Sequence, residues 1–268
     1  MVSSPVRQFA VSRLLLRLAA PLAIAISVAA CSTPVATHGG VTVTGSTNLS
    51  SDEIRQATEI WGQRYDENPK DKATILNFAA ALRLNGQPDQ AVAVLRKGVI
   101  TFPKDEEIAA AYGKALAASG DFDTALRVIR DAQRPDRPDW KLYSAEGAIL
   151  DQMGKTAEAR AAYKQGLTIA PGEPTILNNL ALSHLLVGEL DESEKILRGA
   201  AQAPSATSRI RQNLALVLGL QGKFKEAEQV AASELDPKQA AANVAYLKSM
   251  LAQANTWNQI KDSEKKSG

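Results

Sequence analysis

Residues 72–105 read KATILNFAAALRLNGQPDQAVAVLRKGVITFPKD, and the order of small and apolar residues in this stretch returns in each following stretch of equal length. Gly86, Gly120, Gly154, Gly188 and Gly222 lie 34 residues apart. Only 17 of the 268 residues are glycine, so this run of matches is not expected by chance. A fixed period of roughly 20–50 residues is typical of stacked structural repeats. The sequence therefore predicts one small unit copied along the chain.

Three further sets of residues also recur every 34 residues, and we call each set a column. Small residues form two of them, and larger apolar residues form the third. A glycine can end a helix in the left-handed conformation, and small residues let two helix axes approach closely. A single hairpin cannot bury its apolar face alone, so the units are expected to stack. The columns are Ala79, Gly113, Gly147, Ala181 and Ala215; Ala91, Ala125, Ala159, Ser193 and Ala227; and Leu95, Ile129, Tyr163 and Leu197.

This pattern resembles the tetratricopeptide repeat, a helical hairpin, and Pro69, Pro103 and Pro171 close units in the register of that family. The resemblance implies an all-α fold, a right-handed superhelical solenoid of stacked hairpins. Residues 72–236 are predicted to hold five repeats. These begin near Lys72, Glu106, Trp140, Pro174 and Ser208.

The N-terminus has the features of a bacterial lipoprotein signal peptide, which we assign to residues 1–30. Its basic start contains only arginine as a charged residue, and an uncharged apolar run, residues 18–30, follows. Such a run is short for a bilayer span but fits the core of a secretory signal. Small residues then precede Cys31, the single cysteine of the chain, as in a lipoprotein cleavage box. Cys31 is therefore expected to carry a thioether-linked diacylglycerol and to anchor the chain.

The segments that flank the repeats have different compositions. Residues 31–50 are rich in Ser, Thr and Gly and are expected to form a flexible tether. Residues 51–71 match only the second helix of a repeat, after a predicted capping box at residues 50–53. Residues 237–260 are expected to form a cap helix, and residues 261–268 a disordered tail.

The charge of the chain argues against nucleic acid as a partner. The full sequence has 31 basic and 29 acidic residues. The predicted signal peptide contains three arginines and no acidic residue, so its removal leaves 28 basic against 29 acidic residues. A nucleic-acid-binding domain usually has a strong basic excess.

No catalytic, cofactor or metal site is predicted. Of the two histidines, His38 lies in the tether, and His184 occupies a repeat position otherwise held by leucine, where a packed core residue is expected. Neither a phosphate-binding Gly-rich loop nor a zinc or nucleophile motif is present in the sequence. Acidic pairs such as Asp121 and Asp123 fall at helix starts, where they favour the helix dipole.

The resemblance to tetratricopeptide repeats implies that the first helix of each repeat lines a groove that holds a protein partner. The middle of this groove is predicted to be polar, with Lys114 and Lys141 among its residues, and its C-terminal end to be apolar. Two alternatives stay open, an accessible apolar end or one covered by the cap helix or by a tight superhelix. The predicted partner-binding residues are Asn178, Leu182, Leu185, Leu186, Arg209, Gln212, Leu216 and Leu220.

Residues 174–257 resemble a narrower family, the TadD tetratricopeptide lipoproteins of tight-adherence (Flp) pilus assembly. The resemblance rests on NNLALS at 178–183, RIRQNLALVLGLQG at 209–222 and AANVAYL at 241–247. It implies a periplasm-facing protein that is needed for pilus biogenesis and acts like a pilotin towards the outer-membrane secretin. Ser32 follows the cysteine in place of the Asp that commonly retains lipoproteins at the inner membrane, which favours the outer membrane. An alternative role is assembly of outer-membrane proteins or of the cell wall.

Overall fold

The computed structural model describes residues 49–267, and these form twelve α-helices and no β-strand. The predicted all-α fold class is confirmed. The predicted signal peptide, Cys31 and the tether as far as residue 48 lie outside the described residues. In chain order the helices are α1 (Ser51–Glu67), α2 (Lys72–Leu84), α3 (Pro88–Thr101), α4 (Glu106–Ala118), α5 (Phe122–Ala132), α6 (Trp140–Gln152), α7 (Thr156–Ile169), α8 (Pro174–Leu186), α9 (Leu190–Ala201), α10 (Ser208–Leu220), α11 (Phe224–Ala232) and α12 (Pro237–Ser267).

The described residues fall into two compact units. Residues 49–171 form the N-terminal unit, with α1 to α7, and residues 172–267 form the C-terminal unit, with α8 to α12. We call α2, α4, α6, α8 and α10 the A helices, and the helix that follows each of them its B helix. The A helices begin 34 residues apart, at the first residue of each sequence repeat. Each A helix packs against its own B helix.

The turn between each A and B helix is built on the glycine column. All five of these glycines have positive φ, from 71° at Gly86 to 89° at Gly120. The amide after each glycine donates to a carbonyl five residues earlier, as Gln87 does to Leu82 at 2.9 Å and Lys155 to Leu150 at 2.8 Å. This bond closes the helix C-terminus and satisfies a carbonyl that the helix leaves open. The left-handed conformation that the sequence predicts at these positions is confirmed.

The column of small residues on the B helices lies where each hairpin closes. Ala91, Ala125, Ala159, Ser193 and Ala227 are all fully buried. Serine is accommodated in the fourth repeat because its Oγ donates to the carbonyl oxygen of Ala181 at 2.8 Å. The residues of the large apolar column are also buried, among them Leu95 and Leu197. The alternation of small and large residues therefore sets the spacing of the helices.

Helix α1 covers the first repeat of the N-terminal unit. Its N-terminus is fixed by the predicted capping box, in which Ser50 Oγ accepts from the amide of Glu53 at 3.3 Å and Glu53 Oε2 accepts from the amide of Ser50 at 2.7 Å. Ala57 and Trp61 on its inner side pack against Ala81 of α2. A lone B-type helix thus buries the apolar side of α2 that no preceding hairpin covers.

Helix α12 closes the C-terminal unit after the last B helix. Val244 packs against the core of that unit, and the side chain of Leu247 reaches Gly219 on α10. The helix continues to Ser267, whereas the sequence predicts its end at residue 260 and disorder beyond. Residues 261–267 contain Lys, Asp, Ser and Glu but neither glycine nor proline, so their composition does not break a helix that is already formed.

Candidate partner-binding face

In each unit the A helices keep residues at the same positions open to solvent, and we call this surface the A-helix face of the unit. The second residue of every A helix is exposed, and so is the thirteenth in α2, α4, α6 and α8. The second residues are Ala73, Glu107, Lys141, Thr175 and Arg209, and the exposed thirteenth residues are Leu84, Ala118, Gln152 and Leu186. This is the surface that the sequence analysis assigns to partner binding.

The apolar end predicted for this face lies in the C-terminal unit, but its leucines differ in accessibility. Leu186 is 38% exposed, and Val187 beside it is similarly open. Leu182, Leu216 and Leu220 are half-buried, because one side of each packs against the core of the unit. The apolar surface is therefore narrower than the sequence predicts, with Leu186 as its most accessible predicted residue.

Leu185 does not belong to the partner-binding set. Its side chain is 8% exposed and lies in the core cluster with Leu197 and Leu214. Helix α8 contacts α10 directly, so a residue between these two A helices is covered within the unit. The repeat pattern assigns Leu185 to the groove, and this contact between A helices is what corrects the assignment.

The polar residues predicted for the same face have separate roles. Asn178 is 3% exposed, and its Oδ1 accepts from Nδ2 of Asn213 at 2.7 Å, which joins α8 to α10. Gln212 is half-buried and donates from Nε2 to Ser208 Oγ at 3.3 Å. Arg209 is exposed. The Asn178–Asn213 bond is structural, and of the three predicted polar residues Arg209 is the most accessible to a partner.

A basic cluster in the N-terminal unit lies on the A-helix face as well. Arg83 of α2, Lys114 of α4 and Lys141 of α6 are exposed, and α4 contacts both neighbouring A helices. Burial lowers the pKa of Lys114, and the charges of Arg83 and Lys141 lower it further. The residue is open to solvent, yet protein surrounds its ammonium closely enough to remove part of its hydration. Their positions within the repeats assign Arg83, Lys114 and Lys141 to the groove one by one, but only the fold brings the three separate helices together.

The candidate face carries no arrangement typical of catalysis. The ring of His184 is half-buried in the last turn of α8, with Nδ1 2.6 Å from Glu189 Oε2. The ring is thus not the packed core residue that the sequence predicts, because it lies beside the turn, where a carboxylate reaches it. Within residues 49–253, no group of three or more His, Cys, Asp or Glu side chains could hold a metal ion. None of the helices described for this chain is long and apolar enough to cross a bilayer.

Comparisons with known proteins match a repeat family over part of the chain. The family model of the tetratricopeptide repeat matches residues 76–139 and 145–208. A search of curated proteins finds no match. Among solved structures, a chain of the APC/C hetero-tetramer Cut9–Hcn1 is similar at 15% identity and a TM-score of 0.56, over 78% of this chain and 41% of its own length. The chain therefore spans about two fifths of that larger relative.

Two further structures agree on the fold. A thermophilic tetratricopeptide-repeat protein from Thermus thermophilus is similar at 20% identity and a TM-score of 0.55, over 77% of this chain and 98% of its own. The human IFIT1 dimer is similar at 12% identity and a TM-score of 0.54, over 66% of this chain and 45% of its own. Identities this low show the fold alone. With the family match over part of the chain and the glycine-ended hairpins, they show a fold of the tetratricopeptide-repeat type.

Proposed function

We propose that this chain is a non-enzymatic, lipid-anchored scaffold on the periplasmic face of the outer membrane, which binds protein partners during assembly of a tight-adherence (Flp) pilus. In this proposal it acts like a pilotin towards the outer-membrane secretin. The supporting observation is the apolar end of the A-helix face, where Leu186 and Val187 are exposed beside half-buried leucines. An accessible apolar strip next to a polar rim is typical of a surface that binds a helix or an extended peptide.

The assignment to pilus assembly is supported by the sequence of the same unit. Residues 174–257, which resemble the TadD lipoproteins, contain α8 to α11 and most of α12. The lipid anchor is supported by Cys31 and the segment before it. The proposal is tested by deleting the gene and measuring surface pili and secretin multimers. Loss of both, restored by the wild-type chain, is expected; unchanged pili and multimers would refute the pilus role.

Replacing Cys31 with serine is expected to remove the chain from the membrane fraction. Serine has no thiol to accept the lipid, and each buried methylene of an acyl chain contributes about 0.8 kcal/mol to membrane retention. The measurement is fractionation of cells that express wild type or Cys31→Ser, with immunoblotting of the full chain. Ser32→Ala serves as a control because it leaves the thiol in place. Equal membrane retention of Cys31→Ser and wild type would contradict lipidation.

Replacing Leu186 with aspartate is expected to weaken capture of the secretin by about tenfold or more, because the charge would have to be desolvated in an apolar contact. The fold is expected to persist, since the side chain is 38% exposed. Co-purification from solubilised membranes, with a melting curve for each variant, measures both effects.

The matched control is Ile169→Asp. Ile169 is 37% exposed and ends α7, a B helix, so it has the same accessibility outside the A-helix face. This control is expected to capture as much secretin as wild type. Equal losses in the two variants would show that the A-helix face is not the binding surface. Recovery of a protein insertase or of cell-wall enzymes in place of the secretin would favour the alternative pathway.

A further inference from the structure

The last turn of α3 presents an apolar side chain that the packing of the N-terminal unit does not use. Ile100 is 76% exposed, which makes it the most accessible large apolar residue in the part of the chain whose side chains are described. The same position of the next three repeats is polar, held by Arg134, Thr168 and Gln202. The repeat therefore needs no apolar residue here, and an isoleucine that stays in water does not stabilise the fold.

Three cations surround Ile100 on the same segment. Arg96 and Lys97 lie one helical turn before it, on the same side of α3, and Lys104 follows in the turn after the helix. All three are exposed, and no carboxylate among the side chains of residues 49–253 lies within ion-pair distance of any of them. We call Arg96, Lys97, Ile100 and Lys104 the α3 patch.

The positive charge of the α3 patch is not balanced within the repeat. In the second repeat, Arg130 holds the position of Arg96, and it pairs with Glu146 on the next A helix at 2.7 Å. Arg96 has no such partner among the described side chains. The only acidic residue of α3 is Asp89, which lies in the first turn, almost the whole length of the helix away. An uncompensated positive patch of this kind attracts an anionic surface.

We propose that the α3 patch rests on the anionic surface of a phospholipid bilayer, with Ile100 inserted among the headgroups and the three cations beside lipid phosphates. Basic residues close to a negatively charged membrane are attracted to it, and apolar side chains and lysine stems enter its interface. Four side chains at one helix end bury too little area for a stable protein contact. A bilayer needs no large area, because the patch adds to an anchor that is already in place.

The inference rests on the lipid anchor of the proposed function, and the patch lies within reach of that anchor. Residues 32–48 separate Cys31 from the first described residue, and a chain of that length spans at most roughly 60 Å. Helices α1 and α3 belong to the same unit, and each is about 20–25 Å long. The tether is therefore long enough for Cys31 to be anchored in the bilayer beside the α3 patch.

Lysine acetylation of the chain, purified from membranes and reconstituted into vesicles, tests this contact. Mass spectrometry gives the acetylation rate at each lysine, on vesicles of phosphatidylcholine with an equal amount of phosphatidylglycerol and on phosphatidylcholine alone. On the anionic vesicles, acetylation of Lys97 and Lys104 is expected to be about threefold to fivefold slower. Acetylation of Lys164, an exposed lysine of α7 in the same unit, should not change. Added salt should reduce the protection.

Ile100→Asp is expected to remove most of the protection of Lys97 and Lys104, because the anionic surface repels a carboxylate and its insertion is unfavourable. The fold should persist in this variant, since the side chain is exposed, and a melting curve checks this. Thr168→Asp is the matched control, because it adds the same charge at the same position of the third repeat, and it should keep the protection. Lys97→Gln should weaken the protection of Lys104 without adding a negative charge.

Three results would overturn the contact. The first is equal slowing at Lys97 and Lys164, and the second is unchanged protection in Ile100→Asp. The third is equal protection by soluble polyglutamate without vesicles, which would assign the α3 patch to an acidic protein.

Flotation of the vesicles separates this inference from the proposed anchor. A chain that does not float with phosphatidylcholine vesicles lacks the anchor, and protection of Lys97 and Lys104 on the anionic vesicles then still decides whether the α3 patch binds lipid. A chain that floats with both kinds of vesicle but shows no protection keeps the anchor and refutes the patch.

Discussion

Replacing Gly147 with alanine is expected to lower the free energy of unfolding by about 2 kcal/mol, although alanine is normally the better helix residue. A Cβ atom at this position would lie 2.4 Å from Tyr163 Cε1 and 2.7 Å from two further ring carbons. Tyr163 is 1% exposed, and its hydroxyl donates to Asp151 Oδ2 at 3.0 Å. The ring is rigid and held at its far end, so the helices must separate or the hydrogen bond must break.

Urea denaturation followed by circular dichroism measures this effect. The control is Gly199→Ala, at an exposed helical position where a new Cβ has no neighbour within 4 Å. There the substitution should raise stability by up to about 1 kcal/mol, as helix propensity alone predicts. A Gly147→Ala variant as stable as wild type would show that the contact with Tyr163 does not limit the approach of α6 and α7.

A second substitution shows whether the clash is with the ring. In the first and fourth repeats the same two columns hold alanine opposite leucine, Ala79 with Leu95 and Ala181 with Leu197. Gly147→Ala combined with Tyr163→Leu gives the third repeat this same pair. The double variant should therefore be more stable than the sum of the two single changes predicts, by about 1 kcal/mol or more. If the losses of stability in the two single variants simply add in the double variant, the destabilisation does not come from contact between the new Cβ atom and the ring of Tyr163.

The repeat pattern predicts much of this fold because each column has a local physical cause. A glycine with positive φ, a buried alanine at a helix crossing and a capping box all act over a few residues. The columns alone do not reveal how one depends on another. The A helix has glycine where the B helix has the wider Ile129 or Tyr163, and it has alanine where the B helix has leucine. That relation depends on the distance between two helices, which follows from packing.

The candidate face shows the same limit. Position within an A helix places Leu186 and Arg209 at the surface, as the structure does, but it also assigns Leu185 to the groove, although this side chain lies in the core of the C-terminal unit. Lys114 and Lys141 are separated by a whole B helix in the sequence and become neighbours only through contacts between A helices. Residues that belong to one helix are thus predictable one by one, whereas a cluster drawn from several repeats is not.

Replacing Glu194 with glutamine is expected to lower the free energy of unfolding of the C-terminal unit by about 1–2 kcal/mol at neutral pH. Glu194 lies in α9 and accepts from Arg198 Nε at 2.7 Å and from Lys223 Nζ at 2.6 Å, which ties α9 to the turn before α11. Arg198 also donates to Glu226 at 2.5 Å. Burial raises the pKa of Glu194, but hydrogen bonds from Lys223, Arg198 and Gln221 outweigh it and lower this pKa to about 2.

The pH dependence follows from the direction of that shift. The ordinary pKa of a glutamate is 4.5, and the folded value is about 2, so the folded state binds a proton less readily than the unfolded chain. The stabilisation is therefore complete above about pH 4.5 and is lost as the pH falls towards 2. Arg198 and Lys223 are about two fifths exposed, and the solvent screening that this permits sets the modest size of the effect.

Amide hydrogen exchange in α9 and α11 measures this locally. Faster exchange in Glu194→Gln than in wild type is expected at pH 7, and the difference between the two proteins should narrow between about pH 4.5 and 2. Glu192→Gln is the matched control in the same helix, because Glu192 pairs with Lys195 at 3.4 Å and both side chains are well exposed. Such a pair contributes at most about 0.5 kcal/mol. A difference that stayed constant down to pH 2 would mean that the charge of Glu194 does not hold the two hairpins together.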